Sequence, residues 1–129
     1  MAARRSTRPL GQRGEEIAAR FLARRGLTIL ARNLRSRLGE IDLVGREGAT
    51  LVFVEVKARQ TARGDPPQAA VDGRKRARLA RLALAFMTRH GLGEPRCRFD
   101  VVAVTLEGSE GGAQVEHFPG AFLVDGWGG

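Results

Sequence analysis

The sequence is poor in the residues that build disulfides and soft-ligand metal sites. It contains one cysteine, Cys97, and two histidines, His90 and His117, among 129 residues. One cysteine cannot close an intramolecular disulfide, and the three residues together are too few for a zinc site. Apolar runs stay well short of the ~20 residues that span a bilayer, and the basic N-terminus is not followed by the apolar stretch of a secretory signal. We therefore expect a cytoplasmic protein without a disulfide, a soft-ligand metal centre or a membrane segment.

The length and composition are those of one soluble domain. The chain is 43% hydrophobic and 28% charged, which is typical of a globular protein rather than a disordered one. A chain of this length holds one hydrophobic core and is too short for two. We predict a basic tail over residues 1–8, a single domain over 9–123 and a flexible tail over 124–129.

Positive charge is unevenly distributed along the chain. The net charge is +8, with +8 in residues 1–37, −2 in 38–73, +7 in 74–98 and −5 in 99–129. Two basic segments on either side of a mildly acidic centre fit a polyanion-binding surface built around carboxylates. Basic helices that merely face water would give the same pattern.

Lysine is scarce within this basic composition. The 22 basic residues include only two lysines, Lys57 and Lys75. Because the planar fork of arginine cannot imitate a compact ammonium, a lysine kept in an arginine-rich sequence indicates a position that needs a point charge.

The pattern of apolar residues and turn residues predicts an α/β fold. A mixed β-sheet with helices on its faces accounts for the element order α-β-β-β-α-β-β. The predicted elements are a helix over 9–25, a strand over 27–34, a hairpin of strands 40–45 and 51–56, a loop over 60–67, a helix over 69–90, and strands over 99–106 and 115–118.

The hairpin brings acidic side chains together. Alternation along a strand places Glu40, Asp42 and Val44 on one face. If the hairpin closes symmetrically about its turn, Asp42 faces Glu55 and Glu40 faces Lys57, with Cβ atoms ~5 Å apart in each pair. The sequence therefore predicts two adjacent carboxylates beside an ammonium.

The second strand of the hairpin argues that these carboxylates border a core. Leu51 and Phe53 share a face with Glu55, and valines fill the other face, so the strand is apolar on both sides and is predicted to be central. A solvated sheet face is the alternative for most such patterns. Facing carboxylates beside a core are costly unless a cation or a shared proton compensates, and oxygen ligands suit Mg²⁺ or Mn²⁺.

Two motifs carry a family resemblance. Residues 39–43 (GEIDL) and 53–59 (FVEVKAR) resemble the GEID(L/V) and (F/V)VEVK-x-R motifs of the YraN-like family of small bacterial proteins, and similarity extends over most of the chain, including residues 11–22. That family is functionally uncharacterised and is placed in the restriction-endonuclease-like, PD-(D/E)XK nuclease superfamily, near the archaeal Holliday-junction resolvases. The resemblance implies a restriction-endonuclease-like fold.

The resemblance also implies roles for the matching residues. Asp42 and Glu55 would bind the metal, with the Val56 carbonyl as a further ligand. Lys57 would orient or activate water, or stabilise charge on the phosphate. Glu15 would be the acid carried by the first helix, although a glutamate in the first turn of a helix is equally well explained by the helix dipole.

The function expected from the charge and the resemblance together is that of an Mg²⁺- or Mn²⁺-dependent endonuclease acting on DNA. Phosphate contacts carry no sequence information, so branched or distorted DNA could be selected by its shape. A homodimer would allow one such enzyme to cut two strands. The candidate nucleic-acid-binding residues are Arg13, Arg59, Lys75 and Arg78.

Two alternatives remain open from the sequence. A non-catalytic nucleic-acid-binding adaptor with the same fold would keep the carboxylates as structural residues and would show no divalent-dependent cleavage. A ribosome-associated basic protein would explain the charge but not the hairpin.

Asp100 and His117 are weaker candidates for the site. Asp100 follows Arg98 by two residues, which favours a structural ion pair. His117 lies on a short strand, where a surface position or a place behind the site is favoured over catalysis.

Overall fold

A computed structural model describes residues 10–60, 73–93, 95–106 and 112–122, and it has the predicted α/β order α-β-β-β-α-β-β. The predicted tails and the residues at 61–72 lie outside the described residues. The elements are α1 (Leu10–Arg24), β1 (Thr28–Ser36), β2 (Gly39–Glu47), β3 (Thr50–Arg59), α2 (Gly73–Arg89), β4 (Arg96–Leu106) and β5 (Ala113–Phe122).

The five strands form one mixed sheet in the order β1-β2-β3-β4-β5. The β3–β4 pair is parallel and the other three pairs are antiparallel. The strands of the parallel pair, β3 and β4, are separated in sequence by α2, as expected because parallel neighbours need a crossover connection. The strand that is apolar on both faces, β3, is central, as predicted. This architecture is consistent with a restriction-endonuclease-like fold.

The alternation of β3 divides the core into two layers. Val52 and Val54 pack with α1, whereas Leu51 and Phe53 pack with α2 on the opposite face. Each helix contributes one apolar stripe, as an amphipathic helix does. Within the described residues, neither helix is both long and apolar enough to cross a membrane. The helix residues that face the sheet are Ala18, Ala19 and Leu22 of α1, and Leu79, Leu82, Ala83, Phe86 and Met87 of α2.

Near the middle of β2, the regular alternation of side chains between the two faces of the sheet is interrupted. Ile41 and Val44 both pack in the α2 layer, although residues three apart point to opposite faces of a regular strand. Their ladder partners on β1, Leu34 and Ala31, also pack in the α2 layer. Asn33, which lies between these two partners, has a left-handed backbone with φ 51°. The prediction that Glu40 and Asp42 share a face with Val44 is therefore wrong, because the irregularity turns the two acids away from the α2 layer.

The first half of α1 lies very close to β3. A Cβ atom at Gly14 would lie 2.5 Å from the Cβ of Ala58, and Gly14 is buried. Only a residue without a side chain allows the helix backbone to approach the strand this closely. The close approach holds the next residue, Glu15, at the end of the sheet where Asp42 lies.

Replacing Gly14 by alanine should therefore destabilise the protein. We expect Gly14→Ala to lower the free energy of unfolding by about 1–3 kcal/mol, because the added methyl overpacks the contact with Ala58. Gly11→Ala is the matched control, since nothing lies within 4 Å of a Cβ atom at Gly11. Alanine is the better helix former, so the control should gain up to ~1 kcal/mol. Urea unfolding of both variants measures the difference, and equal stabilities would contradict the close approach.

Candidate metal centre

The site forms where the pairing of β2 with β3 ends. The register runs from Glu47–Thr50 through Val44–Phe53, as predicted, to Leu43–Val54. Beyond this point, the Val56 N–H donates to Oδ2 of Asp42 at 2.8 Å. Asp42 thus does not face Glu55 as a ladder partner. Its carboxylate serves instead as the acceptor for a strand N–H, a group that is rarely left unpaired when buried.

Three carboxylates converge at this point. One carboxylate oxygen from each of Glu15, Glu40 and Asp42 lies within 4.8 Å of the other two, so the cluster could bind a metal ion. Glu15 reaches it from α1, on the same flank as buried Ala18, whereas Glu16 is turned about 100° away. The position predicted for Glu15 is thus the one observed. Glu40 was not predicted as a ligand. Its position two residues before Asp42 on the same strand could have indicated that the two carboxylates lie together.

The fourth carboxylate, Glu55, contacts α2. Its Oε2 accepts a hydrogen bond from Nζ of Lys75 in an ion pair. The Glu55 side chain is 14% exposed and that of Lys75 is 34% exposed. Glu55 directly precedes Val56, whose N–H binds Asp42, and its negative charge contributes to the raised pKa of Asp42.

Negative charge at the cluster is incompletely compensated. Burial, as the largest cause, and the neighbouring charge of Glu55 raise the pKa of Asp42 to about 8, with Glu15 adding to the shift and the Val56 N–H opposing it. Arg35 Nε lies 2.7 Å from Glu40 in an exposed ion pair. Among the described residues, however, no cationic side chain bonds to Asp42 or Glu15. The centre therefore favours a shared proton or a bound cation.

Lys57 is not paired with Glu40 as predicted. Glu40 is the ladder partner and the ion-pair partner of Arg35 on β1. The Lys57 side chain is exposed, and within the described ranges it makes neither a hydrogen bond nor an ion pair. It lies two residues after Glu55 on β3, at the same end of the sheet.

Two of the predicted nucleic-acid-binding residues lie on the two helices at this end of the sheet. A Cβ atom at Gly39 would lie 2.8 Å from Cδ of Arg78, so the stem of Arg78 packs against the start of β2 from the α2 side, whereas Glu40 is turned away from that side. Arg13 lies in the first turns of α1, two residues before Glu15, and is half-buried.

Arg59 contacts residues of β4 and β5 and not the acidic cluster of Glu15, Glu40 and Asp42. Its Nε donates to Oγ1 of Thr105 at 3.1 Å, and its guanidinium lies 3.8 Å from Glu116. Arg59 thus binds across β4 and β5, and contact with a phosphate would have to compete with these partners.

Asp100 forms the structural ion pair favoured by the sequence. Its carboxylate is completely buried and accepts hydrogen bonds from Nε of Arg98 at 2.9 Å and from the Gly120 N–H at 2.9 Å. Nε2 of His117 lies 2.7 Å from the same carboxylate. The hydrogen bond to Asp100 is the main cause that raises the pKa of Arg98. His117 therefore belongs to this network and not to the acidic cluster.

Comparison with known proteins places these residues in a family. The sequence model described as "Uncharacterised protein family UPF0102" matches residues 14–104, a range that includes the four carboxylates and both lysines. The chain belongs to the UPF0102 family. The resemblance to YraN-like proteins seen in the motifs is thereby confirmed.

Similar UPF0102 proteins come from diverse bacteria. A UPF0102 protein of Syntrophotalea carbinolica is 48% identical over 118 residues, covering 92% of this chain and 94% of the relative. One of Moorella thermoacetica is 51% identical over 112 residues, covering 87% and 93%. One of a Parafrankia species is 50% identical over 119 residues, covering 92% and 99%. The similarity therefore extends over nearly the whole of each relative.

The raised pKa of Asp42 predicts that this UPF0102 protein loses stability as the pH rises. In the unfolded chain Asp42 releases its proton near the ordinary pKa of 3.8, whereas in the folded protein it holds the proton to about 8. Between these values the folded state binds more protons, so the free energy of unfolding falls with pH, by up to ~1.4 kcal/mol per pH unit for one proton. Above the folded pKa this contribution is fully lost. Urea unfolding in EDTA across that range measures the slope.

Asp42→Asn should remove this part of the slope and should be more stable than the parent protein at the alkaline end of the range. Glu116→Gln is the control, because Glu116 is exposed and lies outside the cluster. An Asp42→Asn variant with the same slope as the parent would contradict the assignment.

Proposed function

We propose that the chain is a Mg²⁺-dependent phosphodiesterase, an endonuclease that acts on DNA, with Mn²⁺ able to replace Mg²⁺. The observation that carries this proposal is the meeting of Glu15, Glu40 and Asp42 within 4.8 Å, at a point where Asp42 as a residue is only 9% exposed. Such a cluster is stabilised when a hard cation neutralises it.

The donor set fits a hard divalent ion. Asp42, Glu15 and Glu40 offer carboxylate oxygens from two elements, and Glu55 and the Val56 carbonyl are the further ligands implied by the resemblance. Oxygen ligands of this type suit Mg²⁺, which retains several waters and accepts substrate phosphate oxygens. When bound, the ion would supply a Lewis acid and lower the pKa of a bound water.

The residues around the donors have separable tasks. The Val56 N–H fixes the orientation of Asp42, and α1 holds Glu15 on a rigid element. Lys57 extends into solvent beyond Glu55, where its ammonium can reach an attacking water or a phosphate oxygen. Charge stabilisation of this kind acts where negative charge develops in the reaction.

Basic residues of the two helices would hold the DNA backbone. Arg78 of α2 packs against Gly39 at the start of β2, Arg13 lies on α1, and further exposed arginines lie on both helices. Contacts to phosphates fix position without reading bases, so a branched or distorted DNA would be selected by its shape. Two strands of such a DNA would be cut by a homodimer.

A second candidate is a non-catalytic nucleic-acid-binding adaptor. The observation that favours it is the engagement of Glu55 by Lys75, which provides one of the carboxylates with a cation without any metal. The adaptor would bind nucleic acid with a steep salt dependence and would not cleave it.

Loss of a metal-binding carboxylate should abolish cleavage and spare DNA binding. We expect the parent protein to cut at least one member of a panel of labelled junctions, flaps, nicked duplexes and single strands in Mg²⁺ or Mn²⁺, and none in EDTA. Asp42→Asn and Glu55→Gln should lower the rate at least ~100-fold, since each removes a ligand of the ion that would neutralise negative charge developing on the phosphate. Their affinity for DNA, measured by fluorescence anisotropy in EDTA, should stay within about threefold of the parent.

The neighbouring glutamates of α1 provide a matched pair for the same assay. Glu15→Gln should impair cleavage, whereas Glu16→Gln should not, because only Glu15 reaches the cluster. Parent-like cleavage by both Asp42→Asn and Glu55→Gln would overturn the metal assignment. DNA binding without cleavage of any substrate would favour the adaptor.

The salt dependence of DNA binding should identify the basic residues in contact. Arg78→Ala should reduce the slope of log K against log salt by about 1, because one phosphate contact is lost. Arg89→Ala is the control on the same helix, since Arg89 lines a groove with Leu30 and Leu34 at the other end of α2. Equal losses of slope in the two variants would show that α2 contributes only net charge.

A further inference from the structure

The position of Lys75 on α2 places its ammonium beside Glu55. Lys75 precedes Leu79 by four residues, and Leu79 begins the buried stripe that continues through Leu82 and Phe86. Residues at this spacing lie on one face of a helix, so Lys75 occupies the first turn of the stripe that faces the sheet. Its ammonium therefore reaches Glu55 from the side of the α2 core layer.

The ion pair meets a need that is independent of any metal. A carboxylate as little exposed as Glu55 is costly without a compensating charge. Arg74 and Arg76, on either side of Lys75, are exposed, and the compact ammonium of one of only two lysines makes the contact. In the protein without bound metal, Lys75 is thus the counter-cation of Glu55.

A divalent ion at Asp42 would compete with this ammonium. Glu55 directly precedes Val56, whose N–H binds the Asp42 carboxylate at 2.8 Å, so an ion held by Asp42 also attracts the Glu55 carboxylate. The ion and the ammonium repel each other, and this repulsion is stronger beside a partly buried carboxylate than in bulk water. The divalent ion and the Lys75 ammonium therefore cannot both bind Glu55 as tightly as either would bind it alone.

We propose that Lys75 is a built-in counter-cation of the metal-free site, which leaves Glu55 when a divalent ion binds and then presents its ammonium to a DNA phosphate. This exchange rests on the proposed function. Metal binding would then increase the positive charge that α2 presents beside Arg78. The affinity for the metal and the affinity for DNA would therefore be coupled.

The two lysines allow the exchange to be observed directly. Protein labelled with ¹³C at lysine Cε gives one side-chain signal from Lys57 and one from Lys75, assigned with Lys57→Arg. In EDTA, Glu55→Gln should shift the Lys75 signal, because the ion pair with Glu55 is lost. Saturation of the parent protein with Mg²⁺ should move it in the same direction, and Asp42→Asn should suppress that movement.

Metal affinity provides the second measurement. In calorimetric titrations with Mn²⁺, Lys75→Met should bind about tenfold more tightly than the parent, because the ion no longer displaces an ammonium. Arg81→Met is the matched control, since it removes the same charge from an exposed position of α2, and its affinity should stay within about twofold of the parent. The spectra of the parent protein test the exchange even if Lys75→Met does not fold.

The outcomes separate the exchange from the proposed function. A Lys75 signal that does not move while Mg²⁺ binds, or a Lys75→Met variant that binds Mn²⁺ no more tightly than the parent, overturns the exchange and leaves the metal site standing. Failure of both proteins to bind Mn²⁺ overturns the proposed function and the exchange together. Binding by Lys75→Met alone supports both.

Discussion

The constraint on which the site depends is negative charge buried where two strands part. β2 and β3 stop pairing at Leu43 and Val54, and the carboxylate of Asp42 takes over as acceptor for the next strand N–H. This hydrogen bond fixes the carboxylate but does not neutralise the acids around it. The fold therefore places a site with a need for positive charge at the end of its central strands.

The rest of the architecture supplies the parts around that point. α1 approaches β3 through Gly14 and brings Glu15 from one side, and α2 packs on the opposite face and brings Lys75 to Glu55. The carboxylates thus come from three elements: α1 is held by one core layer, and β2 and β3 contribute to both layers. A site built on rigid elements keeps its geometry better than one built on loops, which suits the proposed binding of an ion and a phosphate.

The sequence predicts the fold well because its signals are local. Residues 51–56 are apolar on both faces, which identifies a central strand, and helical spacing places Glu15 on the flank of α1 that faces the sheet. The sequence does not predict the reversal of β2, because the left-handed backbone at Asn33 leaves no mark on the apolar pattern. The ion pair of Lys75 with Glu55 was also missed, since it depends on where α2 packs after a long connection.

The most direct test of the central claim is anomalous diffraction from crystals soaked in Mn²⁺. The account predicts a Mn²⁺ peak within bonding distance of a carboxylate oxygen of Asp42 and of at least one of Glu15, Glu40 and Glu55. A saturating soak that gives no peak at Asp42, or an ordered ion bound only elsewhere on the chain, would contradict it.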